Sequence, residues 1–449
     1  MSVVQLGALY AVATFAVLFS GMPIAFGIGS VALVFMYFFM PAAQLSIVAE
    51  TIYSELNSFT LLTIPLFILM GAAIGKSRAG ADLYSSLNRW LHRIPGGLGL
   101  ANTLACSIFA AMCGSSPATC SAIGSAGIPE MRKRGYSSRL ATGLIAAGGT
   151  LGILIPPSLT LILYGLATEQ SIGKLFMAGV GPGLLLTVLF GTWVMYKSWL
   201  ENRERERQRR LGESALDTPA FDERFSWRQR LDTLPRLLPF VLLILFVMIA
   251  LYGGWATPSE VAGVGAVGAL AMVMLVYGCW RWGDLQVILA GTARESSMIM
   301  MIIAMSFLYT YVMSYLHITQ SAAAWMVSLG LSKWEFFACV NVLLIVLGFF
   351  LPPVAIILMV TPIILPALKA LGIDLIWFGI VMTILMEMGL IHPPVGLNLF
   401  VINGIAPDVP LRDIIWGVVP FLLLMALGIL LLCLFPGIAL WLPAHYQGG

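Results

Sequence analysis

Two stretches of this sequence combine glycine, paired prolines and polar side chains so that backbone groups are left free for chemistry. The first is Gly148-Gly149-Thr150-Leu151-Gly152-Ile153-Leu154-Ile155-Pro156-Pro157-Ser158. The second is Glu387-Met388-Gly389-Leu390-Ile391-His392-Pro393-Pro394-Val395-Gly396. They lie within apolar runs at 139–168 and 375–405, each long enough to cross a bilayer. Proline lacks an N–H and clashes with the preceding turn, so both helices are expected to break. A break exposes C=O groups at the end of one half-helix and N–H groups at the start of the next. The N–H end carries roughly half a positive charge and suits a carboxylate. The C=O end suits a hard cation such as Na⁺. Broken backbone survives at membrane depth only against protein or a water-filled cavity.

Two more interruptions join them. Cys113-Gly114-Ser115-Ser116-Pro117 divides the apolar run 98–131, and Leu351-Pro352-Pro353 divides 336–369. Arms of about 15 residues fall short of the roughly 20 that a crossing needs, so each run reads as a hairpin that dips in and returns. The tips and breaks nominate Ser115, Ser116, Thr119, Thr150, Gly152, Ile155 and Pro157 in the first half. In the second they nominate Pro352, Pro353, Gly389, His392, Pro394 and Asn398. A single Ser or Thr in a helix more often bonds back to its own backbone. Clustering at matching interruptions sets this group apart. Glu387 is the one acid deep in a broken run, and an intramembrane acid is a functional candidate. It has two open roles: aiding a cation or proton, or accepting a structural hydrogen bond.

The elements around these stretches make a membrane protein. The chain has 449 residues, 59% hydrophobic and 10% charged, with a net charge of +3. Its mean hydropathy is +0.95. A soluble domain carries roughly 25% charged residues. Spans are expected at 3–20, 22–40, 59–75 (kinked at Pro65) and 175–199, then at 239–252, 261–277, 296–315 and 414–434. Segments 81–92 and 319–331 are amphipathic and too polar to cross. The arginine-rich stretch 201–236 mixes basic and acidic residues, which fits a cytoplasmic linker rather than a nucleic-acid surface. Cys106, Cys113 and Cys120 recur every seven residues, as if on one helix face, with no His or CxxC to complete a metal shell.

The halves repeat. An offset of 237 residues carries Pro129 to Pro366, Gly135 to Gly372, Gly152 to Gly389, Pro156 to Pro393 and Pro157 to Pro394. Residues 1–200 form one repeat and 237–449 the other. Five crossings per repeat would turn the second upside down. Charge agrees: Lys76, Arg78, Arg89, Arg93, Arg132, Lys133, Arg134 and Arg139 flank the first hairpin, whereas the second has Lys333 and Lys369. The loop 41–57 holds Glu50 and Glu55 without Lys or Arg, which places it and both termini outside. The expected fold is an all-α polytopic membrane protein with two inverted-topology repeats.

No phosphate-binding GxxxxGK[ST] loop, HExxH or GxSxG occurs, so no nucleotide and no enzyme activity is expected. Gly114-Ser115-Ser116-Pro117-Ala118-Thr119, Met131-Arg132-Lys133-Arg134-Gly135-Tyr136, Gly149 to Ser158 and Gly389 to Asn398 resemble the large membrane subunit of TRAP (tripartite ATP-independent periplasmic) transporters. His392 departs from that pattern, where Thr is commoner. The resemblance implies Na⁺-coupled import of an organic acid anion: a C4-dicarboxylate, sialic acid or another sugar acid. It implies a periplasmic substrate-binding protein, a separate small membrane subunit of about four helices, and an elevator-type movement of the hairpin domain in the bacterial inner membrane. Matching positions assign Ser115, Ser116, Thr119, Ser158, Pro352, Pro353 and Asn398 to the substrate. They assign Ser116, Gly152, Ile155 and Pro157 to one Na⁺ site, and Gly389, His392 and Pro394 to a second. A stand-alone Na⁺/anion symporter and an ion channel are the rival readings.

Overall fold

The computed structural model describes residues 2–94, 96–210 and 225–445. Residues 211–224 of the expected linker, Arg224 included, lie outside the described residues, as do 446–449. The first half comprises α1 (Val3–Phe19), α2 (Ile24–Phe39), α3 (Val48–Leu56), α4 (Thr63–Lys76), α5 (Ala79–Leu91), α6 (Gly97–Cys113), α7 (Ser116–Lys133), α8 (Ser138–Leu154), α9 (Leu159–Thr168) and α10 (Ile172–Arg210). The second comprises α11 (Trp227–Leu231), α12 (Leu234–Tyr252), α13 (Pro258–Tyr277), α14 (Trp282–Tyr315), α15 (Ile318–Ser328), α16 (Lys333–Gly348), α17 (Pro353–Ala370), α18 (Leu375–Ile391), α19 (Leu397–Ile405), α20 (Leu411–Leu434) and α21 (Gly437–Ala444).

Local chemistry sets the ends of the central helices. Ser137, Ser158 and Asp374 cap α8, α9 and α18, accepting from the N–H groups of Leu140, Leu161 and Trp377. Each cap satisfies a donor that the first turn leaves unpaired. Gly114 closes α6 at a φ of 59°, a left-handed conformation that side chains resist. The bounds of α7 and α17, and of α8 and α18, stand 237 residues apart at both ends.

Among the described residues, six helices are long and apolar enough to cross a membrane. They are seven if α8 and α9 count as one span bent by 42°. Phe38, Leu275, Trp282 and Leu423 stand largely exposed on the outside. Such a surface suits lipid, where only helices and closed barrels satisfy their own backbone. This is an all-helical, multi-pass membrane fold. The hairpin α6–α7 packs against α8, and α8 packs against α20; α16 packs against α18. The halves interlock, because α9 packs on α17 and α19 on α7. To one side, α13 packs on α4, and α14 on α2 and α4. Hydroxyl pairs tie α4 to α13, with Thr63 and Ser259 at 2.8 Å, and α1 to α14, with Thr14 and Tyr309 at 3.0 Å.

Several expectations shift. The stretch 41–57 is not an open loop: it folds into a 3-10 turn (Ala42–Ile47) and α3. The irregularity expected at Pro65 is a 3-10 turn, Phe59–Leu62, ahead of α4. Pro65 itself sits in the first turn of α4, where N–H groups lack helical partners anyway. Helix α10 continues to Arg210, so the linker's first ten residues are helical. Helix α14 starts at Trp282, not Ser296, and brings Glu295 into the span. Helix α17 has 18 residues and reaches crossing length by itself. Cys113 ends α6 while Cys120 lies in α7, so the three buried cysteines do not share one helix face.

Candidate functional site

Gly148, Gly149 and Gly152 stay helical; the first break begins at Ile155, once Ile155 N–H has bonded the Leu151 carbonyl. Pro156 and Pro157 have no N–H, so the carbonyls of Gly152 and Ile153, four residues upstream, lose their helical donors. In the second break Pro393 and Pro394 free Gly389 and Leu390 in the same way. Both Pro-Pro bonds are cis.

Each hairpin tip meets the break of its own half. A Cβ on Gly114 would stand 3.4 Å from the Pro157 carbonyl oxygen, so tip and break touch backbone to backbone. In the second half Gly389 abuts Gly348, and the His392 ring stacks on Phe349 with centroids 4.5 Å apart. His392 Nδ1 also bonds the Pro393 carbonyl. The four elements then close on one cavity of about 740 Å³. Ser115, Ser116, Pro352, Pro353, Thr160 and Glu295 line it, with Ile153 and Leu390 from the two breaks.

The polar candidates divide. Ser116 Oγ donates to Glu387 Oε2 at 2.8 Å, joining the first tip to the second broken helix. Asn398 Nδ2 donates to the Ala146 carbonyl at 3.1 Å and to Ser116 Oγ at 3.4 Å. The hydroxyl of Ser116 therefore points to α18 and α19, not to the first break. Thr119 bonds back to the Ser115 carbonyl, and Thr150 to that of Ala147. Ser158 caps α9 and pairs with Thr160 at 2.9 Å. A Cβ on Gly152 would overlap Ala110 of α6, so this glycine serves the approach of the hairpin arm rather than facing the tip.

The model of the tripartite ATP-independent periplasmic transporter, DctM component, matches residues 11–438. This chain belongs to the DctM family. It is 38% identical over 395 residues to the C4-dicarboxylate TRAP transporter large permease protein DctM of Pseudomonas aeruginosa, covering 88% of each chain. It is 36% identical to the protein of the same name from Rhodobacter capsulatus, covering 95% of this chain and 96% of that one. Its fold matches the YdaH transporter of Alcanivorax borkumensis with a TM-score of 0.61 at 15% identity, over 88% of this chain and 89% of that one. A DctM-family chain is a transporter permease, and no enzyme activity attaches to it.

Sequence reasoning missed Glu295 and Thr160. A second cavity, about 580 Å³, shares Ser115, Leu159 and Glu295 with the first and extends to Lys76 and Arg78. The signal for Glu295 was available: an acid 13 residues after Trp282 in a run that stays apolar beyond it.

Proposed function

We propose that this chain is the large membrane subunit of a Na⁺-coupled importer of an organic acid anion, with a C4-dicarboxylate as the first substrate to test. A periplasmic binding protein delivers the anion, and a separate small membrane subunit braces the permease in the bacterial inner membrane. The observation that carries the reading is the single cavity lined by both hairpin tips and both broken helices. Hydroxyls and half-helix N-termini there suit a carboxylate. The carbonyls freed by Pro156-Pro157 and Pro393-Pro394 suit Na⁺, so Gly152, Ile155 and Pro157 fit one cation and Gly389, His392 and Pro394 another. Two inverted repeats account for the 237-residue register. The contacts of α9 with α17 and of α19 with α7 support a hairpin domain that moves as one body against α2, α4, α13 and α14, in the manner of an elevator.

The test is uptake of a labelled C4-dicarboxylate by proteoliposomes holding this chain and its small subunit. Uptake should require the binding protein on the outside. Equal uptake without it would assign the chain to stand-alone symport. Sugar acids and monocarboxylates added as unlabelled competitors set the substrate class.

A further inference from the structure

Among the described residues, the buried acceptor oxygens without a donor include two whose side chains meet at one hydroxyl. Glu387 Oε1 and Asn398 Oδ1 are fully buried and without a hydrogen-bond partner. Their other atoms converge on a single hydroxyl, Ser116 Oγ, at 2.8 Å and 3.4 Å. The three side chains are at most 1% exposed. Among the described residues no Lys, Arg or His reaches salt-bridge distance of Glu387. A carboxylate buried without an opposite charge is strongly unfavourable, and so is an amide oxygen without a donor. One bound cation would answer both. Carboxylate, amide carbonyl and hydroxyl oxygens are the donors that hard cations take.

We propose that Glu387, Asn398 and Ser116 form a sodium-ion site of their own, separate from the carbonyl sets at the two breaks. Glu387 Oε1 and Asn398 Oδ1 are its unpaired ligands, and the Ala146 carbonyl, already held by Asn398, fixes the amide in place. The ion enters past Ser116, which lines the large cavity. The site has no counterpart at the 237-residue offset, where Pro353, Thr150 and Leu161 stand in place of Ser116, Glu387 and Asn398. It therefore belongs to the junction between the halves rather than to either repeat. Ser116 opens α7 at the first tip, while Glu387 and Asn398 flank the second break. Filling the site ties the first hairpin to the second broken helix.

The inference rests on the transport reading, but its test does not use transport. Purified protein in lipid nanodiscs is titrated with NaCl against choline chloride at neutral pH, and difference infrared spectra are recorded. The expected result is a Na⁺-dependent shift of an ionised carboxylate band, present in the wild type and absent in Glu387→Gln. Asn398→Ala should raise the Na⁺ concentration for half of that shift by about tenfold, the scale of one charge-assisted contact. If Glu387→Gln does not fold, Glu387→Asp replaces it: the charge stays and the band moves. A neutral carboxylic acid signal that ignores Na⁺, or a carboxylate band unmoved by Na⁺, overturns the site. Either result can coexist with Na⁺-driven uptake, so loss of this site is distinct from loss of the transport reading.

Discussion

Gly152 and Ser116 show what single residues disclose. The register that carries Gly152 to Gly389 is visible in the sequence, and so is the loss of donors at Pro156 and Pro157. What the sequence could not show is which way each residue faces. Gly152 turns to Ala110, and the Ser116 hydroxyl crosses to Glu387 in the other half. Facing is set by tertiary packing between segments 271 residues apart, as Ser116 and Glu387 are. Close packing against α6 therefore makes Gly152 intolerant of a side chain. A Cβ there overlaps the backbone of Ala110 as well as its side chain. Gly152→Ala should cost about 1–3 kcal/mol of stability by overpacking, and Gly152→Val more. Ala110→Gly should restore only part, since the backbone overlap remains. Thermal unfolding of the single and double variants checks this, and an unchanged midpoint in Gly152→Ala would contradict the packing.

At the scale of elements, hairpins and broken helices were legible because glycine, proline and apolar length mark them. Helices α8 and α18 begin within one residue of the starts of the two apolar runs, 139 and 375. Helix α3, the extension of α10 and the early start of α14 were not, since polar residues at a membrane surface fit helix or loop equally well. Contacts between elements were also hidden. Arg132, at the end of α7, pairs with Asp408 at 2.6 Å, and Arg139 on α8 pairs with Asp413 on α20 at 2.7 Å. The basic residues expected only to set orientation thus also join the halves. The hydrogen bond from Arg132 holds the Asp408 carboxyl below the usual carboxylate range. A lowered value stabilises the fold above the unfolded pKa, about 3.9, and that contribution is lost as pH falls through the folded value. Asp408→Asn should therefore lower the unfolding midpoint slightly at neutral pH and low salt. The difference should vanish in acid, and also at high salt because the pair is exposed. A difference that persists in acid would mean that the charge is not its source.

At the scale of the molecule, composition pointed to a membrane protein, and the lack of a nucleotide loop to one that does not itself hydrolyse ATP. The family match and the helical architecture agree with that reading. What neither could supply is how four interruptions, far apart in the chain, close on one cavity. That depends on the cross-packing of α9 with α17 and of α7 with α19. The proposed function requires an anion in this cavity to be driven inward by a sodium gradient. The direct measurement is accumulation of a labelled C4-dicarboxylate in proteoliposomes with the small subunit and binding protein present, no ATP, and the membrane potential held at zero. An inward Na⁺ gradient should raise internal substrate above the external concentration, and equal Na⁺ on both sides should abolish that excess. Accumulation that is the same with and without the gradient, or that appears only with ATP, would contradict the claim.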